Sequence, residues 1–466
     1  MLNAPLISML RALPKDRMKA LEKFVRSPYH VTHPGVGQLL ELLKDNLENE
    51  ALDKAYLVIQ LFKERETDPR RLYHLTNYLL AAVEKFLAQE VWERQQHIQH
   101  ADTIEGLRGL NLNEPAEAMY RYARKQLGIE KVKGSEFHRA AYRLHWEEYQ
   151  LSLQQGRAKS SNAQALSDTQ DVAFICEKLR TGCLLLSHQL VTKQTYDKGL
   201  LDPILTFLSG HKYLEIPLVA AYYHGYFAQL GEAGGDQHFL QLKALLKEHA
   251  QFFSLSEVHD LFLMAINFCI RRINQQEELY FREIFDLYQF GLQHGALLEN
   301  GLLSRWTYNN ITLTGLRLKE YAWVKDFLLQ YAPLLGESHR EGAVNFNLAR
   351  YHYEMGALKE AMPYLLRIEY DDVLHNMGAK MLLCKIYFAL GETDTLENQL
   401  DSIQIYLRRK KVLGYHRDIY LAFVRFIRKL LTLKPNHAAD RKKLREEIEA
   451  TPGLPEKAWL LGELKD

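Results

Sequence analysis

Cysteine is scarce in this chain: four residues in 466, Cys176, Cys183, Cys269 and Cys384, with no C-x-x-C pair. That pattern excludes a zinc module and a disulfide scaffold, both of which need clustered or paired thiols. The four fall in apolar surroundings, which suits small buried hydrophobes in a reducing cytoplasm. Long apolar runs are missing too. No stretch of about 18 uncharged apolar residues occurs, so no membrane-spanning helix is expected. The start, MLNAPLISMLRALPKDR, has only a short apolar run before charges begin, too little for the core of a secretion signal. Strand signals are almost absent, with no series of alternating Val, Ile, Thr and Tyr runs joined by tight-turn pairs. Catalytic signatures are absent as well: no G-x-S-x-G, H-E-x-x-H or G-x-G-x-x-G. The glycines at 231–235 lack the Lys-Ser/Thr ending of a phosphate loop and read as a turn. A non-enzymatic protein without cofactor or metal is expected.

What the chain has in quantity is helical periodicity. Apolar residues recur at three- and four-residue spacing, broken by Gly, Pro and Asn/Asp/Ser clusters, so the fold class is all-α. The hydrophobic share of 47%, with 26 Tyr and 20 Phe, is enough to fill many gaps between helices. Residues 1–110 read as a helical N-terminal region. Residues 111–300 read as helical hairpins of irregular spacing, with the polar stretch 156–171 as a loop leading into a helix over 172–189. Within 301–410 the spacing becomes regular. Gly356 and Gly391 punctuate two copies of one helix-turn-helix pattern 35 residues apart, and mid-thirties periods belong to stacked helical hairpins. Residues 411–466 read as basic capping helices, since end units of an array differ from internal ones.

In the first copy the pattern is carried by Leu348, Ala349, His352, Gly356, Ala361 and Leu365. In the second it is carried by Leu383, Cys384, Tyr387, Gly391, Leu396 and Leu400. A weaker unit upstream aligns Ile311, Thr312, Gly315, Lys319, Val324 and Leu328. Small residues let two helix backbones approach, and large ones fill the space between successive hairpins. This grammar resembles the tetratricopeptide repeat. It departs from that family where Asn345 and Lys380 replace the opening aromatic, where the closing Pro is missing, and where Leu396 takes a small site. The whole chain also resembles large uncharacterised bacterial proteins that join a helical N-terminal region to a tetratricopeptide-type tail, through residues 23–30, 174–189 and 345–356. The resemblance implies a right-handed superhelical array of antiparallel hairpins, an α-solenoid, whose concave face holds a protein or peptide partner. It implies no activity.

Two sets of residues are candidates for partner binding. Arg350 and Lys385 occupy equivalent repeat positions, with Asn347 beside Arg350; the upstream equivalent is Leu313. Cations repeated at that spacing suit a partner's carboxylates. The second set lies in a basic segment from Arg408 to Arg445, which opens with Arg408, Arg409, Lys410 and Lys411 and carries thirteen Lys/Arg against Asp418 and Asp440. At +11 it leaves the rest of the chain at −10. Such a segment suits an anionic partner, which is nucleic acid, an acidic protein face or a membrane surface, or else a solvated capping face. Glu93, His97 and His100 share a helix face with metal-ligand spacing, yet their polar surroundings favour an exposed helix end.

Overall fold

A computed structural model describes residues 4–47, 54–63, 69–154, 162–231, 234–366, 373–409, 414–433 and 438–464. Among them the structure is all-helical apart from one two-stranded ladder. The chain divides into two compact units, residues 1–177 and 178–466.

The first unit holds α1 (Ala4–Ala12), α2 (Lys15–Arg26), α3 (Gly35–Lys44), α4 (Lys54–Phe62) and α5 (Pro69–Glu93). Leu6, Leu21, Leu39, Leu79 and Phe86 form their common core. Next come α6 (Gln96–Gly109), α7 (Asn113–Ile129) and α8 (Ser135–Gln154), packed around Ile104, Ala116, Tyr120 and Leu144. α9 (Ala163–Thr192) runs across the division between the units. It starts inside the stretch expected to be a loop, and residues 155–161 lie outside the described ones.

The second unit continues with α10 (Leu201–Leu208), α11 (Pro217–Leu230), α12 (Gly235–His249), α13 (Leu255–Asn274) and α14 (Leu279–Gln293). A short hairpin, β1 (Leu298–Glu299) and β2 (Leu302–Leu303), follows. Its turn is Asn300-Gly301, both at positive φ, as a two-residue hairpin loop requires. Then come α15 (Arg305–Arg317), α16 (Tyr321–Tyr331), α17 (Glu337–Glu354), α18 (Leu358–Leu366), α19 (Val373–Leu390) and α20 (Thr393–Arg409). α21 (Gly414–Leu431), α22 (Ala438–Ala450) and α23 (Lys457–Gly462) end the described chain. All three lie within 411–466, the stretch expected to hold capping helices.

Consecutive helices pair as hairpins: α11 with α12, α13 with α14, α15 with α16, α17 with α18, α19 with α20. First helices also lie against first helices, α11 on α13, α15 on α17 and α17 on α19. Polar bonds bridge neighbouring hairpins. Lys243 reaches Glu283 and, at 3.3 Å, Asp286. Arg282 meets Glu320 at 2.8 Å, and Arg317 meets Glu278 at 2.7 Å.

The first helices share one ending. A residue in the left-handed region closes each: Gly231 (φ 71), Gln276 (φ 69), Lys319 (φ 60), Gly356 (φ 74) and Gly391 (φ 71). After the last four, the next backbone N–H reaches back five residues. Glu277 donates to Arg272, Glu320 to Gly315, Ala357 to His352 and Glu392 to Tyr387, at 2.9–3.1 Å. That bond satisfies a carbonyl the helix end would otherwise leave unpaired, and it makes the turn sharp enough to fold the second helix back. Close approach then needs small residues: a Cβ on Gly315 would lie 2.4 Å from Val324 Cγ2.

Candidate interaction face

The shared turn gives a register independent of sequence likeness. Counting back six residues from it reaches Ile270 on α13, Leu313 on α15, Arg350 on α17 and Lys385 on α19. On α15 this position belongs to a narrow exposed stripe, Trp306, Asn310, Leu313 and Arg317, spaced four, three and four residues apart. Between them Tyr308, Asn309, Ile311, Thr312, Thr314, Gly315 and Leu316 are buried, so α15 is enclosed except along that line. α13 repeats the arrangement with Leu263 and Asn267 exposed. On α17 Arg350 is half-buried, its guanidinium 4.1 Å from the centre of the Phe346 ring. Large apolar side chains left in water on an otherwise enclosed helix are the informative kind of exposure.

α19 differs. Residues 381–387 are all buried, and Lys385 is only 8% exposed. Its ammonium lies 2.8 Å from the Glu456 carboxylate, 4.7 Å from the centre of the Tyr353 ring and 5.8 Å from that of Trp459. Trp459 meets Phe388 edge to face, with ring centres 5.5 Å apart. Tyr353 and Phe388 are themselves equivalent, each three residues before its turn glycine. The covering residues come from α23 and the residue that starts it. Behind them Leu454, Leu460 and Leu464 are buried in the core of α19–α22. Each fully buried leucine contributes about 2 kcal/mol. The leucines therefore supply most of the hold, and the Lys385–Glu456 pair fixes the register.

The sequence-based candidates thus part company. Lys385 faces the chain's own carboxylate, a correction to its reading as a surface cation. Asn347 is fully buried, donating to Asn309 Oδ1 and, at 2.8 Å, to the Ala343 carbonyl. It ties α17 to α15 and is likewise no surface group. Arg350 stays beside the open stripe. Arg408 and Arg409 are exposed at the end of α20, while Lys410 and Lys411 lie outside the described residues. Part of the basic segment is neutralised locally: Arg428 meets Glu397 at 3.2 Å and Asp401 at 2.6 Å, and Lys429 pairs with Glu447. Arg417, Arg425, Lys442 and Lys443 remain exposed. His97 sits 3.3 Å from Glu130, and its neighbour His100 packs edge-on against Tyr122. Sequence reasoning missed Trp306, Tyr353, Phe388, Glu456 and Trp459. A usable signal was the Trp459-Leu460-Leu461 cluster, apolar among charges at the end of the chain.

The thiols sit where the apolar surroundings placed them. All four are buried and none is in a disulfide, and burial pushes the Cys384 thiol up to about 12. No protein-family model, curated protein or solved structure matches this chain.

Proposed function

We propose that the second unit is a tetratricopeptide-like solenoid and that the protein is a non-enzymatic scaffold binding a protein or peptide segment. The segment runs along the faces of α13, α15 and α17. The observation that carries this reading is the stripe Trp306–Asn310–Leu313–Arg317, with Arg350 on the next first helix. Trp and Arg are the residues that most often dominate binding energy at interfaces, and Leu313 adds apolar area between them. A fitting ligand carries an apolar side chain for the Trp306–Leu313 line and a carboxylate for Arg350.

The test is a displayed peptide library selected on the full-length protein. Selected peptides are then titrated against wild type and the Trp306→Ala, Leu313→Asp and Arg350→Glu variants. Affinity is expected to fall about tenfold or more in each, with circular dichroism unchanged. An enrichment indifferent to all three substitutions, or no enrichment, contradicts the proposal.

A second reading draws on the exposed cations Arg408, Arg409, Arg417, Arg425, Lys442 and Lys443. It is an anionic partner at segment 408–445, with nucleic acid the foremost case. Its mark is retention on nucleic acid that weakens steeply with salt; no retention at low salt removes it.

A further inference from the structure

The position six residues before the turn is open on α15, half-covered on α17 and closed on α19. What closes it is a segment of this chain with the chemistry expected of a ligand. Glu456 presents a carboxylate to the repeated cation, and Trp459, three residues on, presents its ring beside Phe388. Leu460 and Leu464 follow into the apolar floor.

The segment's local structure is short and strained at its start. Gly453, at φ 65, precedes it in an exposed turn. Glu456 itself is held at φ 54, a conformation L-residues with side chains disfavour, and α23 starts there without a side-chain cap. A helix of six residues has little stability of its own. Among the described residues it is also tied to backbone by Lys457 Nζ to the Glu449 and Thr451 carbonyls, and by Arg445 to the Leu464 carbonyl at 3.4 Å.

We infer that Tyr353, Lys385 and Phe388 form a peptide-docking site that the chain's own residues 454–464 fill in cis. In trans the site takes a partner segment of the same chemistry, a carboxylate followed three residues later by Trp and then by leucines. This rests on the reading of the first-helix faces as a binding surface and adds the ligand class and its regulation. The tethered segment competes with any partner, so apparent affinity falls by the fraction of molecules in which the site is open.

The test uses a fluorescein-labelled peptide of residues 452–466 and fluorescence anisotropy. Full-length wild type is compared with the full-length Glu456→Lys/Trp459→Ala double variant, whose own segment is weakened. The double variant is expected to bind the peptide about tenfold or more tightly than wild type. A peptide carrying the same two substitutions should compete about tenfold less well, and adding Lys385→Met should weaken binding by a similar factor. A double variant with wild-type helicity that does not prefer the peptide overturns the inference. If that variant does not fold, a protease site placed at the exposed Pro452-Gly453 turn of the full chain serves instead. Cleavage after folding should let labelled peptide exchange in, and no exchange overturns the inference equally. Leu313→Asp should leave this peptide's affinity unchanged, so the docking site and the wider face stand or fall separately.

Discussion

α15 and α19 follow one plan and differ in what lies against one face. Both are first helices of hairpins, both end on a left-handed residue, and both are buried on the sides that meet neighbouring helices. On α15 the remaining line is open to solvent around Leu313. On α19 the equivalent line is covered by Glu456 and Trp459, and a lysine stands where α15 has a leucine. The side chain at one register position therefore reports what it faces. Water tolerates Leu313, while the nearly enclosed ammonium of Lys385 requires a carboxylate opposite it.

Equal substitutions at the two positions separate them most sharply. Lys385→Glu sets two carboxylates against each other in a nearly enclosed place and should cost about 3 kcal/mol in denaturant unfolding. Leu313→Glu, six residues before its own turn, should change stability by less than about 0.5 kcal/mol. Equal losses would erase the distinction between covered and open faces.

α11 offers an intermediate case, because its half-buried His224 is covered from within its own hairpin. His224 Nδ1 lies 2.8 Å from His238 Nδ1 on α12, beside the Tyr223 and Phe227 rings. Burial first, and then His238, lowers the His224 pKa from its ordinary 6.5 to about 4; burial lowers that of His238 as well. Since the unfolded chain takes up the proton more readily, this contribution to stability is complete above pH 6.5. It is lost as pH falls from there through about 4. Discounted for partial exposure, the loss should be about 2 kcal/mol. Melting curves between pH 7 and pH 4 should show it, and His224→Gln should flatten the fall; an unchanged slope contradicts the pairing.

The smallest effects concern the turns. Gly391→Ala should destabilise by about 1 kcal/mol, because alanine disfavours the left-handed region. Lys319→Gly, at the same geometry on α15, should stabilise by up to about 1 kcal/mol. Changes of the same sign would mean the two turns are not equivalent.

These turns also explain what could be read from sequence. Gly356 and Gly391 made the 35-residue spacing visible because glycine is the usual residue for that conformation. Gln276 and Lys319 adopt the same φ without the residue that signals it, so the upstream hairpins hide their common ending. All-helical content was legible throughout, since apolar periodicity repeats in nearly every segment. The environment of Lys385 was not legible, because its partner Glu456 lies 71 residues further on. Nor was that of Asn347, whose buried bond to Asn309 crosses from one first helix to the next. A polar side chain in a periodic helix reads as surface until a second helix is placed against it.

Hydrogen–deuterium exchange on the intact protein addresses the self-filled face most directly. Amides of α23 should exchange through a local opening well before global unfolding, while amides in 381–387 of α19 should stay protected until a larger opening. Adding the 452–466 peptide in excess should leave α19 protected and speed exchange in α23. Protection of α23 equal to that of α19, unchanged by the peptide, would contradict a displaceable segment and make α23 a permanent part of the fold.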